Sequence, residues 1–395
     1  MRYYIYSLIV VFLFVGCGQD YYDLDFDKNN DKTKKDTKNK KTKKYKIDET
    51  IDNRKIQNDE NNNEKPNTPN ELLDEKLLKK PMYNPSFNNS STNKIALLYS
   101  SKTIGKFAIN ATNSVLGYLL SQNQPFELKV FDIASQSTSS IASALQKAQT
   151  FGHKNIVAIL TNSSYNNLIN YNDIDDFSIY LPLINKKNTI NRKDNIIYGG
   201  LDYEKQLELL SRKTQKKSIE YYSFNTIGKI LHKNTTKIDP KVKYSQSIQR
   251  NQKSFNSLIG KKKWLIDDSS VYLNTSLVTS SIILSTIKAK QIKPANILST
   301  QINFSPVLLS MTGANALKGL TIANSIRPID QASTENIALL GGDIRYNWIS
   351  YSTIVGVDIF LDQNKKIEPN IIDGQVDFDV RLFKAVNGSL IQNKF

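Results

Sequence analysis

From residue 93 to the C-terminus, short apolar runs alternate with longer segments that have helical spacing. The run Lys94–Tyr99 (KIALLY) precedes an apolar stripe in Ile104–Leu120, and Asn155–Leu160 (NIVAIL) is a further short run of the same kind. Apolar runs of this length are typical of strands buried on both faces, and the stripes are typical of helices that cover them. The alternation therefore predicts an α/β protein with parallel sheets.

The alternation begins a second time near residue 218, which predicts two sheets rather than one. The predicted strands are 94–99, 128–133, 155–160, 178–183 and 196–198, then 218–223, 271–274, 295–300, 320–323 and 376–380. The predicted helices are 104–120, 138–150, 203–213, 226–232, 277–289, 306–317 and 348–361. At the end of the chain, Asn387-Gly388 predicts a tight hairpin turn between 381–386 and 389–392.

The first 17 residues have the pattern of a secretory signal. Arg2 is followed by an apolar run of about a dozen residues, which is shorter than the roughly 20 that span a membrane. Gly16 directly precedes Cys17, and this pair resembles the cleavage box of bacterial lipoproteins. The resemblance implies a signal peptide over 1–16 and a lipid on Cys17, with Gly18 favouring the periplasmic side of the outer membrane. An uncleaved anchor with an inert cysteine is the alternative.

Residues 17–92 differ in composition from the rest of the chain. Asn, Lys, Asp and Thr dominate, so too few side chains could be buried to offset the entropy lost on folding. We predict a disordered, charged tether here. The net charge of +16 is not mainly in this segment, because residues 1–92 hold 17 Lys and Arg against 15 Asp and Glu. Within the tether, Lys28–Lys46 is a local basic block. Contact with anionic headgroups or cell-wall polymer and a compositional bias toward Lys, Asn and Ile both remain open as explanations for this block.

Cysteine and histidine are too scarce for several kinds of chemistry. The chain has one Cys and two His, His153 and His232. One Cys excludes an internal disulfide and a CxxC redox pair, and we expect no metal site and no cofactor. Two SxxK matches, at 91–94 and 285–288, lack the partner motifs of acyl-serine enzymes. We therefore expect a protein that is not an enzyme.

Several segments resemble the type I periplasmic-binding-protein fold. KIALLYSSKTIGKF resembles its first strand, Ser-containing loop and helix, and NIVAILTNSS resembles a later strand with its small-residue ligand loop. IYLPLINKKNT and the closing FKAVNGSLIQ resemble further strands of that fold. The resemblance implies a bilobal α/β fold, with two parallel α/β lobes after the disordered tether. The first lobe would take 93–200 and 326–361, and the second 201–325 and 362–395.

Within that fold, a lipid-anchored member resembles the penicillin-binding-protein activator lipoproteins, the LppC-like family. The resemblance implies an envelope partner such as a peptidoglycan synthase. We expect no nucleic acid as a partner, because the signal sends the chain out of the cytoplasm. Those proteins carry an N-terminal helical-repeat domain, and here only the tether stands in its place. The main hypothesis is an envelope interaction or regulatory lipoprotein, which could activate peptidoglycan synthesis. The alternative is a solute-binding lipoprotein for an amino acid, a peptide or a muropeptide, serving a transporter or a receptor.

The resemblance also implies where a ligand would bind. In amino-acid-binding relatives, hydroxyl and backbone N–H groups of the small-residue loops hold a carboxylate, in the cleft at the carboxyl ends of the strands. The candidates carried over by position are Ser100, Ser101, Thr161, Asn162, Ser163, Ser164, Asn188, Thr189, Tyr222 and Asn274. Each Ser and Thr after a strand is also a candidate helix N-cap. Lys186 and Lys187 would suit an anionic ligand or a solvated surface.

Overall fold

The structure is a computed structural model, and it describes residues 92–393. The signal peptide, Cys17 and the tether were predicted for residues that lie outside this range. The strands are β1 (Asn93–Tyr99), β2 (Phe126–Asp132), β3 (Asn155–Ile159), β4 (Ser178–Leu181), β5 (Ile196–Tyr198), β6 (Ser218–Ser223), β7 (Val242–Ile248), β8 (Ser270–Asn274), β9 (Asn296–Ser299), β10 (Leu320–Asn324), β11 (Ile371–Ile372), β12 (Gln375–Val376), β13 (Arg381–Val386) and β14 (Ser389–Gln392).

The helices surround two sheets. They are α1 (Ser101–Ile104), α2 (Phe107–Leu120), α3 (Thr138–Thr150), α4 (Tyr165–Ile169), α5 (Tyr203–Ser211), α6 (Thr226–Ile238), α7 (Phe255–Leu258), α8 (Lys263–Ile266), α9 (Leu277–Ala289), α10 (Pro306–Met311), α11 (Gln331–Leu339) and α12 (Trp348–Phe360). In the part of the chain that the structure describes, no helix is long and apolar enough to cross a membrane.

The first sheet has the strand order β11-β12-β5-β4-β3-β1-β2. The pairs from β2 to β12 are parallel, and β11 is antiparallel to β12. Leu97 of β1 packs on the side of α2 and α12, whereas Leu98 packs on the side of α3 and α4. Both faces are therefore covered, and this explains why β1 is apolar at consecutive positions.

The second sheet repeats this arrangement with the order β14-β13-β10-β9-β8-β6-β7. Strands β7 to β10 pair in parallel, and β13 and β14 add antiparallel strands at the far edge. Asn387 and Gly388 join β13 to β14 with φ values of 49° and 76°, which a type I′ hairpin turn requires. The predicted fold of two parallel α/β lobes is confirmed.

The chain crosses between the sheets after β5, after β10 and after β12. Helix α12 lies against the first sheet, where Tyr351 and Ile354 share a core cluster with Ile95 and Leu97. Strands β11 and β12 also pair with the first sheet, although 362–395 was predicted for the second lobe. Only the segment from β13 onward pairs with the second sheet. Each lobe is therefore assembled from segments that are distant in the chain.

Some elements differ from the sequence prediction. Strand β7 was not predicted, because VKYSQSI is largely polar and lies at a sheet edge. Helix α11 was not predicted either, since only Ser333 and Ile337 are buried along it. Residues 306–317 are helical only to Met311, and the strand predicted over 376–380 is limited to β12.

Helices α2 and α11 approach closely, and a Cβ on Gly117 would lie 2.6 Å from Cα of Ile337.

Candidate functional site

The loop after β1 contains the first pair of candidates. Ser100 is fully buried, and its Oγ accepts a hydrogen bond from Oγ1 of Thr103 at 3.2 Å. The backbone N–H of Ser101 donates to Oδ1 of Asp132 at 2.8 Å. Ser100 therefore holds the start of α1, and Ser101 connects α1 to the end of β2.

The loop after β3 surrounds an oxygen atom of the protein itself. Thr161 donates its backbone N–H (3.0 Å) and its hydroxyl (2.9 Å) to Oε1 of Gln136. The hydroxyl of Ser164 donates to the same oxygen. Gln136 lies between β2 and α3, so its side chain reaches this loop although β1 lies between β2 and β3 in the sheet. An amide oxygen therefore occupies the point where three donors of the predicted ligand loop converge.

The other contacts of this loop are local. Oγ of Ser163 lies 2.9 Å from Oγ1 of Thr161, whereas Asn162 and Ser163 are exposed. The main chain at Gln136 is held by Asn167, whose Nδ2 donates to the Gln136 carbonyl at 2.8 Å. Nε2 of Gln136 is buried and has no hydrogen-bond partner within residues 92–393. The side chain is thus held through its oxygen alone.

The loop after β4 forms a tight turn. Oδ1 of Asn185 accepts from the backbone N–H of Lys187 at 3.0 Å, and the N–H of Asn188 donates to the Asn185 carbonyl at 2.9 Å. The hydroxyl of Thr189 donates to the Lys186 carbonyl at 2.8 Å. Asn188 is exposed, and Thr189 is buried. Through these contacts, the two candidates hold the turn together.

Both lysines of this turn are engaged by carboxylates. Nζ of Lys186 lies 2.7 Å from Asp373, and Nζ of Lys187 lies 2.6 Å from Asp202 and 3.6 Å from Glu204. The hydrogen bond from Lys186 lowers the pKa of Asp373. Burial alone would lower the pKa of Lys187, but Asp202 and Glu204 outweigh it, so the pKa of Lys187 is raised. Because nearby carboxylates already compensate their positive charge, these two ammonium groups offer little attraction to an anionic ligand.

The second-lobe candidates meet at a buried carboxylate. Glu220 of β6 is fully buried. Its carboxylate accepts hydrogen bonds from Nδ2 of Asn274 at 2.7 Å and from the hydroxyl of Ser245 at 3.0 Å. Nδ1 of His232 lies 2.6 Å from the same carboxylate. The Tyr222 ring stacks on His232, with centroids 4.1 Å apart and planes 4° from parallel. Asn274 also donates to Thr235 at 2.8 Å. Tyr222 and Asn274 are therefore brought together.

Sequence reasoning missed Gln136, Glu220 and His232. A charged residue inside the apolar strand SIEYYS was a usable signal, because a buried carboxylate needs hydrogen-bonding partners. Gln136 gave a weaker signal, since it is one polar residue among many that follow the strand at 128–133. Within residues 92–393, no hydrogen bond, ion pair or ring contact joins the first-lobe candidates to Tyr222 or Asn274.

A pocket of about 280 Å³ lies between the loop after β4, the crossovers and α5. Its charged lining consists of Lys186, Lys187, Arg192, Lys205, Asp202, Asp373 and Asp377. Nζ of Lys205 lies 2.6 Å from Asp377, so this pair is also joined across the pocket lining. None of the predicted ligand-binding residues lines this pocket. Among the described residues, no group of three or more His, Cys, Asp or Glu could hold a metal ion.

No protein-family model matches the chain, and no curated protein matches it. Solved structures do. The leucine-binding protein LivK of Thermotoga maritima is 14% identical, with a TM-score of 0.52 over 76% of this chain and 97% of that one. LivJ of Streptococcus pneumoniae, solved with isoleucine, is 12% identical, with a TM-score of 0.53 over 77% of this chain and 100% of that one.

A third similar structure is the C-domain of LpoA from Haemophilus influenzae, described as a regulator of PBP1A. It is 12% identical, with a TM-score of 0.51 over 76% of this chain and 100% of that domain. The chain spans 60% of full-length LpoA. At these identities the likeness shows the fold, and the fold is that of type I periplasmic-binding-protein-like proteins.

Proposed function

We propose that this chain is a non-catalytic envelope protein whose binding-protein-like body regulates another protein, such as a peptidoglycan synthase. The fold supports the binding-protein-like body. The regulatory role and the partner are proposals. The proposal also includes a lipid on Cys17 and a position on the periplasmic side of the outer membrane, and both rest on the sequence of Met1–Gly18.

One observation carries this proposal: several of the polar groups predicted to hold a solute are hydrogen-bonded within the protein. Thr161 and Ser164 donate to Gln136, and Asn274 donates to Glu220 and Thr235. A ligand would have to replace these bonds before it gained any, and the net gain from such an exchange is small. Because these polar groups already have hydrogen-bond partners within the protein, we favour a role in which the surface of the body contacts another protein.

The similarity to the C-domain of LpoA adds support at the level of fold. That domain is described as a regulator of PBP1A, so this fold occurs in a protein that acts on a peptidoglycan synthase. The exposed loops at the carboxyl ends of the strands are the natural contact surface, because loops carry recognition while the sheet positions them.

Photo-crosslinking from one strand tests the proposal. A crosslinking amino acid at Asn162, just after β3, should capture an envelope protein in intact cells, identified by mass spectrometry. The same amino acid at Lys154, just before β3, is the matched control, because it is exposed at the opposite end of the strand. Equal capture from both positions, or capture from neither, would count against a partner at this edge.

A solute-binding role is the second candidate, and the pocket of about 280 Å³ favours it. Its lining presents both signs of charge, which would suit a small zwitterion such as an amino acid. A ligand at 100 times its Kd should stabilise the folded protein by about 2.7 kcal/mol. A thermal-shift screen with amino acids, short peptides and muropeptides measures this, and no shift with any of them would exclude this candidate.

A further inference from the structure

Helix α9 leaves one apolar side uncovered. Its inner side packs in the second-lobe core through Ile283, Leu284 and Ile287. Its outer side exposes Val278 and Ile282, at 41% and 39% of their surface. Met311 at the end of α10 is 46% exposed beside them, and a groove of about 630 Å³ lies between Ile282 and Met311. Ser285 and Lys288 are also exposed on α9, so the uncovered apolar surface consists of Val278, Ile282 and the adjoining Met311.

An exposed tryptophan lies near the end of the same helix. Trp264 is 75% exposed, whereas Trp348 is buried in the first lobe at 6%. The neighbouring Lys263 donates from Nζ to the carbonyl of Gln291, two residues beyond α9, at 2.8 Å. This contact places the turn that carries Trp264 beside the C-terminal end of α9. A large aromatic ring left in water is typical of an interaction surface, and this one lies near the end of α9 that carries Lys290.

The segment that carries these apolar groups is basic, and Lys290 lines the groove with Ile282 and Met311. Residues 249–318, which include α7 to α10, contain nine Lys and Arg and only two Asp. One of the two, Asp267, is already paired with Lys263 at 2.8 Å. Lys261 and Lys290 are exposed. We define Trp264, Val278, Ile282, Met311, Lys261 and Lys290 as the basic apolar face. Its charge is complementary to an anionic surface.

We propose that the basic apolar face docks on an anionic lipid bilayer. Tryptophan is favoured at the headgroup level of membranes, and clusters of lysine are attracted to acidic lipids. The cores of protein interfaces favour arginine and are depleted of lysine, whereas both cations of this face, Lys261 and Lys290, are lysines. The composition of the face therefore favours a lipid surface over an acidic protein. This contact is separate from the proposed lipid on Cys17 and from the first-lobe position Asn162.

Tryptophan fluorescence of the full chain gives a local readout. The chain has two Trp residues, so Trp348→Phe leaves Trp264 as the sole reporter, and residues 1–91 contribute no tryptophan signal. With phosphatidylcholine vesicles that contain about one third phosphatidylglycerol, Trp264 emission should shift to the blue and be quenched by brominated lipid. Vesicles of phosphatidylcholine alone should give neither effect. If the chain sediments with the anionic vesicles while Trp264 emission is unchanged, the proposal is wrong.

Charge reversal distinguishes a specific face from general attraction. In the Trp348→Phe chain, Lys261→Glu with Lys290→Glu should weaken the quenching response by at least about tenfold. Lys102→Glu with Lys106→Glu changes the net charge equally from exposed first-lobe positions, and it should leave the response unchanged. Equal weakening by both pairs would overturn the assignment of the face. If Trp264 emission shifts with polyglutamate or single-stranded DNA and not with anionic vesicles, the face binds that polyanion and the lipid proposal is wrong.

Discussion

The side-chain oxygen of Gln136 lies 3.0 Å from the backbone nitrogen of Thr161, in the loop where a carboxylate would be expected. The hydroxyls of Thr161 and Ser164 donate to the same atom. In effect, the first lobe carries an internal ligand. The arrangement explains how a fold that is shared with amino-acid-binding proteins can present no open site at this loop.

Gln136→Ala should both destabilise the protein and open the loop. The variant leaves three donors without their acceptor, and unsatisfied buried groups cost about 1–3 kcal/mol each. Acetate or acetamide should then raise the melting temperature of the variant and leave that of the native protein unchanged. Gln149→Ala is the control, because Gln149 also donates a side-chain hydrogen bond but lies on the exposed side of α3. If acetate stabilises neither protein, the loop does not accept a free oxygen ligand.

Glu220→Ala should weaken the second lobe strongly. The change removes the acceptor of His232, Ser245 and Asn274 at a fully buried position. We expect a loss of about 2–4 kcal/mol in the free energy of unfolding, measured by urea denaturation. Glu208→Ala on the exposed side of α5 is the matched control and should change stability by less than about 0.5 kcal/mol. Equal losses in the two variants would contradict the role given to Glu220.

Gly117→Ala tests the contact between α2 and α11. In an open helix this change should stabilise by up to about 1 kcal/mol. Here the new methyl group would lie 2.6 Å from Cα of Ile337, a backbone atom that cannot rotate away. We therefore expect a lower melting temperature, with a loss of about 1–3 kcal/mol. Leu120→Ala, an exposed position on the same helix, should have little effect. A stabilised Gly117→Ala protein would show that the two helices separate readily.

Acid should weaken the contact that Asp267 makes. The hydrogen bond from Lys263, with the backbone N–H of Lys293, lowers the pKa of Asp267 below 3.8. Its stabilisation is therefore complete above the unfolded-state pKa and is lost as the pH falls through the lower folded-state pKa. Asp267→Asn should unfold more easily than the native protein at pH 7, and the difference should shrink below about pH 4. A difference that is constant over this range would exclude the ion pair as its cause.

The sequence predicts the fold better than it predicts the site, and the reason is physical. Strand β1 and helix α9 were predicted because burial imposes an apolar pattern on consecutive residues, which is visible locally. Strand β7 has an edge position and polar side chains, so it leaves no such pattern. The hairpin at Asn387-Gly388 was predictable because its turn geometry selects those residue types.

The site depends on partners that are far apart in the chain. Thr161 was correctly placed after a strand, but its partner Gln136 is 25 positions away, and no local pattern marks the pair. Several other Ser and Asn residues after strands are helix caps, such as Ser276, whose side chain accepts from the backbone N–H of Thr279. Residue type alone does not distinguish a Ser, Thr or Asn that caps a helix from one that bonds to a residue distant in the chain.

The return of α12 to the first sheet has a consequence for synthesis on the ribosome. When the first 200 residues have emerged, β1 to β5 are complete, yet one face of their sheet still lacks Tyr351, Ile354 and Val355, which later cover it. That face is covered only by α2 until about 160 further residues, including most of the second lobe, have been translated. We therefore expect nascent chains that are arrested before α12 emerges to be especially prone to aggregate, because one apolar face of the first sheet is then incompletely covered.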